Sequence, residues 1–104
     1  MAENTDISIL PGDTIDTIKI HVDLVIAKVA QLHSVLMKEW RNDKPISVDL
    51  SEVNACDTAG IQLLCSMLVE SRKAGFQMEV IACTPEVSTT AKNLGIVLTL
   101  PTTV

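Results

Sequence analysis

A chain of 104 residues can build one compact core but not two, so a single domain spanning residues 1–104 is expected. Hydrophobic residues make up 47% and charged residues 20%, which excludes disorder, and with aromatics at 2% the core must be aliphatic. The formal net charge of −5 excludes a phosphate-binding basic surface, and Trp40 and Phe76, the two aromatics, offer no platform for stacked bases, so no nucleic acid is expected as a partner.

No charge-free apolar run is long enough to span a bilayer, so no membrane insertion is expected. The opening Met-Ala-Glu-Asn-Thr-Asp is polar and acidic, unlike a signal peptide. Cys56, Cys65 and Cys83 are an odd set without metal-type spacing, which suits reduced thiols in the cytoplasm.

Ile7-Ser8-Ile9-Leu10 reads as a short strand ended by the turn Pro11-Gly12-Asp13, and a second short strand is expected around 13–15. Ile15, Ile18, Val22, Val25, Val29, Leu32 and Leu36 then recur at alternating steps of three and four. That period predicts an amphipathic helix running to about Trp40, with Lys19, Asp23, Lys28 and Gln31 on its wet face and its start left open. The same period would serve a coiled-coil seam, and so a homo-oligomer, but strand-like flanks favour a helix lying on a sheet.

After the polar loop 41–45, Ile46-Ser47-Val48-Asp49-Leu50 alternates as a strand. A second helix is expected from Thr58 or Ala59 to Ala74, with Ile61, Leu64, Cys65 and Leu68 inward, Leu63 and Met67 widening that face, and Gln62, Ser66, Glu70 and Lys73 outward. Gly75 is placed to end it in a left-handed conformation. Residues 77–83 read as a further strand, and Thr84-Pro85-Glu86 opens a third helix with a hydroxyl cap, proline in the first turn and an acid behind it. The uncharged stretch from Ile96 to Val104 is expected to add a last strand or to pair with a partner. Alternating strands and helices define an α/β fold: a small mixed, largely parallel β-sheet packed by α-helices.

The segment 48–64 sets a short polar turn between a buried strand and an apolar helix. Asp57 or Thr58 can accept hydrogen bonds from amides in the helix's first turn, and the partial positive charge of that end welcomes an anion. Gly60 allows backbone to approach closely. Taken as residues alone, such a Thr or Asp is first a cap.

The wording of this segment resembles the signature of the STAS family, the domains of sulphate transporters and anti-sigma-factor antagonists. Asp49-Leu50-Ser51 ends the strand, Asp57-Thr58-Ala59-Gly60 forms the turn, and Ile61-Gln62-Leu63-Leu64 starts the helix. The order of elements agrees from about Ile7 to Ile96. The resemblance implies an anti-sigma-factor-antagonist-like fold and a protein-binding switch. It makes Thr58 the phosphoacceptor, a threonine where serine is commoner, and Asp57, Thr58, Ala59, Gly60, Ile61 and Gln62 the partner-binding residues. The partners it implies are an anti-sigma-factor-like serine/threonine kinase and a PP2C-like phosphatase. The alternative it leaves is a constitutive subunit bound to the ATPase of a bacterial phospholipid transporter.

Other residues carry no separate chemistry. His21 and His33 have no second histidine or carboxylate at metal spacing, so no metal ligands and no cofactor are expected. Cys56 lies between Glu52 and Asp57, which disfavours a thiolate. No nucleophile elbow, glycine-rich phosphate loop or zinc-protease motif is present, and no enzyme is expected.

Overall fold

The computed structural model describes residues 6–96. Seven elements follow in chain order: β1 (Ile7–Leu10), β2 (Asp16–Ile20), α1 (Ile26–Glu39), β3 (Ile46–Leu50), α2 (Thr58–Lys73), β4 (Met78–Cys83) and α3 (Pro85–Asn93). The strands form one sheet in the order β1-β2-β3-β4. β1 runs antiparallel to β2, whereas β2, β3 and β4 are parallel, each pair joined through a helix. The expected mixed, largely parallel sheet is therefore present. The uncharged stretch beyond Ile96 lies outside the described residues.

Alternation decides which way each strand faces. Ile7, Ile18, Ile20, Ile46, Val48, Leu50, Met78 and Val80 are buried and align across the sheet, as in Ile7 opposite Ile20 and Ile18 opposite Val48. They pack into one aliphatic core with Leu32 and Leu36 of α1, Ile61, Leu64 and Met67 of α2, and Val87 and Ala91 of α3. Lys19, Ser47, Asp49 and Glu79 occupy the intervening positions. The β3–β4 register shifts between Val48 and Asp49, which leaves Ile81 of β4 as the extra residue of a bulge beside the end of β3.

The expectation of a helix starting near Ile15 is corrected here. Asp16–Ile20 is strand β2, and 13–15 is irregular rather than a strand. Steps of three and four coincide by chance with a strand, a connection and a helix in succession. What decides β2 is the period-two burial of Ile18 and Ile20 and their pairing with β1 on one side and β3 on the other. Lys19 consequently belongs to the sheet and Asp23 to the β2–α1 connection. From Val29 onward the predicted stripe holds, with Leu32 and Leu36 buried.

α2 ends as the sequence requires. Gly75 has φ of 86°, and its amide donates to the Arg72 carbonyl at 3.0 Å. Asn42, itself left-handed at φ of 53°, donates from its side chain to the Glu70 carbonyl at 3.0 Å and so ties the α1–β3 loop to the same end. Thr84 sits at the cap position of α3, yet its hydroxyl donates to the Val53 carbonyl at 2.6 Å instead of accepting from the helix.

The two faces of α2 divide folding from display. Leu64 is 1% exposed, and Leu64→Ala is expected to cost about 2–5 kcal/mol in denaturant unfolding. Gln62, one turn in and exposed, is expected to change stability by less than about 0.5 kcal/mol when truncated.

Candidate functional site

The parallel strands point their C-terminal ends at the side where α1, α2 and α3 begin, which in open α/β sheets is where the connections that carry function emerge. The connection from β3 to α2 starts with Asp49, whose carboxylate accepts the Ser51 amide at 2.9 Å. Hydrogen bonding to Ser51 holds the Asp49 carboxyl below the usual range, with the Lys19 and His21 charges adding to it.

The residues that follow are stitched to β2 and the β2–α1 connection. Glu52 meets Lys19 Nζ at 3.2 Å and His21 Nδ1 at 2.9 Å, and these two hydrogen bonds, His21's first, lower its carboxyl pKa. His21 Nε2 is hydrogen-bonded to Ser8 Oγ at 2.7 Å. One oxygen of Asp23 accepts both the Asn54 and Ala55 amides at 3.1 Å. The Leu24 amide donates to the Ala55 carbonyl at 2.9 Å, and the Leu24 carbonyl accepts the Asp57 amide at 3.0 Å, a short parallel bridge outside the main strands.

Asp57 completes the seam. Its Oδ1 accepts the Gly60 amide at 3.1 Å and so caps α2, while its Oδ2 accepts the Ile26 amide, the first of α1, at 2.9 Å. One carboxylate thus caps two helices. The Ile26 bond first, and the Gly60 bond after it, hold the Asp57 carboxyl below the usual range. Of the two capping residues open from the sequence, Asp57 takes the role and Thr58 does not.

The opposite flank of the turn is pinned by α3. Thr84 holds the Val53 carbonyl, Val53 is fully buried, and Thr90 Oγ1 donates to the Cys56 carbonyl at 3.1 Å. Cys56 is half-buried, and burial, followed by the Asp57 charge, pushes its thiol up to about 11. At neutral pH it is a protonated thiol and a poor nucleophile.

The six residues predicted as the binding set therefore separate. Thr58 is exposed at the start of α2, and Gln62 is exposed one turn on. Asp57 and Ala59 are half-buried. Gly60 and Ile61 are buried: Ile61 belongs to the core, and a Cβ at Gly60 would overlap the Leu24 carbonyl oxygen. These two support the turn from beneath and present nothing to a partner's surface. Ile26, whose amide Asp57 holds, is 75% exposed beside the turn. The clamps from Asp23 and Glu52 reach across 31 or so positions of chain, and no local pattern signals them.

Two open depressions flank this region. One, of about 470 Å³, lies between Asn54, Ala55 and Cys56 of the turn and Pro85, Glu86, Thr89 and Thr90 of α3. The other, of about 400 Å³, follows Gln62, Cys65, Ser66, Val69 and Glu70 along α2. No cluster of three or more histidine, cysteine or carboxylate residues able to hold a metal occurs among the described residues. No helix among them is long and apolar enough to cross a membrane.

The family model described as "Mlab, STAS domain" matches residues 13–97. The chain belongs to the STAS family. Among solved structures it is similar to the crystal structure of a protein described as an anti-sigma factor antagonist from Thermotoga maritima. That match has a TM-score of 0.77 at 16% identity, over 94% of this chain and 87% of that one, and so concerns the fold. No curated protein matches the chain in sequence.

Two outcomes test the seam. Gly60→Ala is expected to cost about 1–3 kcal/mol or more in denaturant unfolding, because the overlapped atom is backbone and cannot rotate away. Acid titration of stability tests the carboxylates. The folded-state pKa values of Asp49 and Asp57 lie below their unfolded values, so their contribution is complete above the ordinary carboxylate range and is lost as pH falls through the depressed values. Asp57→Asn is therefore expected to lower the unfolding midpoint at pH 7 and to flatten the acid limb; an unchanged acid limb would contradict the double-cap role.

Proposed function

We propose that this STAS domain is a non-enzymatic protein-binding switch of bacterial cytoplasmic signalling, set by phosphorylation of Thr58. One observation carries the reading. Asp57 discharges the capping duty at the start of α2, which leaves Thr58 exposed on a turn pinned from both flanks. A hydroxyl in that position can be reached and modified without dismantling the fold.

The chemistry follows from the position. A partner serine/threonine kinase of the anti-sigma-factor type transfers the γ-phosphoryl group of a nucleoside triphosphate to Thr58 Oγ1, releasing the nucleoside diphosphate and the hydroxyl proton. The product carries about −1.5 to −2 charges at neutral pH on a chain whose net charge is already −5. Unmodified, the turn offers a partner Thr58 and Gln62, both uncharged; phosphorylated, it offers a dianion whose burial against a protein surface is costly unless paired. A PP2C-like phosphatase resets the switch by hydrolysing the phosphothreonine ester. The depressions beside the turn are open and the Cys56 thiol is protonated, both of which fit contact better than catalysis.

A second reading draws on the description of the matching family model. In it the domain is a constitutive subunit on the ATPase of a bacterial phospholipid transporter, and the same turn docks unmodified.

Titration against a bound partner separates the two. Thr58→Ala is expected to keep stability within about 0.5 kcal/mol and binding near wild type. Thr58→Glu is expected to weaken binding by roughly ten-fold or more, equivalent to about 1.4 kcal/mol. Equal affinities for both variants would favour the constitutive subunit.

A further inference from the structure

α1 begins without means of its own to satisfy its first amides. Its cap residue is Val25, extended at φ −127° and ψ 159°, which has no side-chain acceptor, and its first turn holds no acid. A helix start in that condition leaves unpaired donors and an uncompensated positive end. Asp57, from a different connection, supplies what is missing: Oδ2 to the Ile26 amide at 2.9 Å, while Oδ1 holds the Gly60 amide of α2 at 3.1 Å. The residue after Asp57 in the chain is Thr58.

We propose that Asp57 is a coupling residue, through which a charge placed on Thr58 loosens the first turn of α1 and so changes the surface around Ile26. The inference deepens the switch reading above and rests on Thr58 being its control point. A phosphoryl group on Thr58 adds negative charge on the neighbouring residue and brings three acceptor oxygens to the amides that Asp57 caps. The carboxylate is repelled and outcompeted in the same place, and its second oxygen leaves Ile26 with it.

The backbone before that end is held by the Leu24 bridge to Ala55 and Asp57, and the first amide of the helix by Asp57 Oδ2. The amides of Lys28 and Val29 close onto the Val25 carbonyl, so the Ile26 amide is the outermost donor of the turn. The consequence reaches the surface directly. Ile26 is 75% exposed, and Met37, three turns along the same side of α1, is 71% exposed. A partner that docks on Thr58 lies near the Ile26 turn, whose first amide is bonded to the preceding residue, Asp57. Phosphorylation would then act twice, by charge at Thr58 and by disorder at Ile26.

The test needs neither kinase nor partner. Phosphothreonine is installed at position 58 of the full chain by genetic encoding, and amide hydrogen exchange is followed residue by residue. The Ile26 amide and its neighbours in the first turn are expected to exchange roughly five-fold faster or more, the factor that a lost helix cap corresponds to. Amides of β3 and the later turns of α2 should not change. The same modification in an Asp57→Ala background is expected to leave the first turn of α1 where Asp57→Ala alone puts it, because the link is already cut. Unchanged Ile26 exchange in the phosphorylated protein would overturn the coupling. An equal acceleration with and without Asp57 would also overturn it, by placing the route elsewhere. Because the phosphate is installed synthetically, absence of phosphorylation in cells would sink the switch reading without touching this result, and the reverse holds.

Discussion

Leu24 is the point on which the site depends. Its side chain is fully buried, its amide binds the Ala55 carbonyl, and its carbonyl binds the Asp57 amide while lying against Gly60. A single residue of the β2–α1 connection therefore fixes the height, the register and the closest approach of the turn before α2. Asp23 and Ile26, its neighbours within two positions, add the Asn54, Ala55 and Asp57 bonds on either side. A single parallel bridge between the two connections continues the β2–β3 pairing beyond the C-terminal ends of those strands. Gly60 is where this constraint reaches the sequence most plainly, since any side chain there would displace backbone.

From that constraint follows a division of labour. Buried members of the motif, Gly60 and Ile61, and the bonded carboxylate of Asp57 hold the turn; exposed members, Thr58 and Gln62, face outward. Polar groups at the turn are consumed by one another: Asp23 by two amides, Asp57 by two more, Glu52 by Lys19 and His21. Such a region is rigid beneath and open above.

The second half of the chain was legible because each element there announces both its period and its ends. Ile46, Val48 and Leu50 alternate, Ile61 to Met67 recur at helical spacing, Gly75 stops the helix, and Pro85 starts the next. In the first half β1 and the end of α1 are equally plain, but β2 is hidden, because apolar residues of β2, of the connection and of α1 happen to continue one helical spacing. Only pairing with β1 and β3 reveals that Ile18 and Ile20 alternate. The turn could be located from Asp57-Thr58-Ala59-Gly60, but not the sharing of Asp57 between two helices, since Ile26 lies 31 positions away. Ile61 is core, as its helical spacing implies, although the family motif also counts it among the binding residues. His21 likewise finds its carboxylate partner, Glu52, in another segment.

The account stands on Thr58 being the residue at which the domain is controlled. Mass-spectrometric mapping of the protein isolated from its own cells, or after incubation with the cognate kinase, tests this most directly. The account predicts one principal phosphate, on Thr58, with Asp57 and the rest of the turn unmodified. Stoichiometric phosphate on Ser51, Thr84 or Ser88 with Thr58 untouched would contradict it.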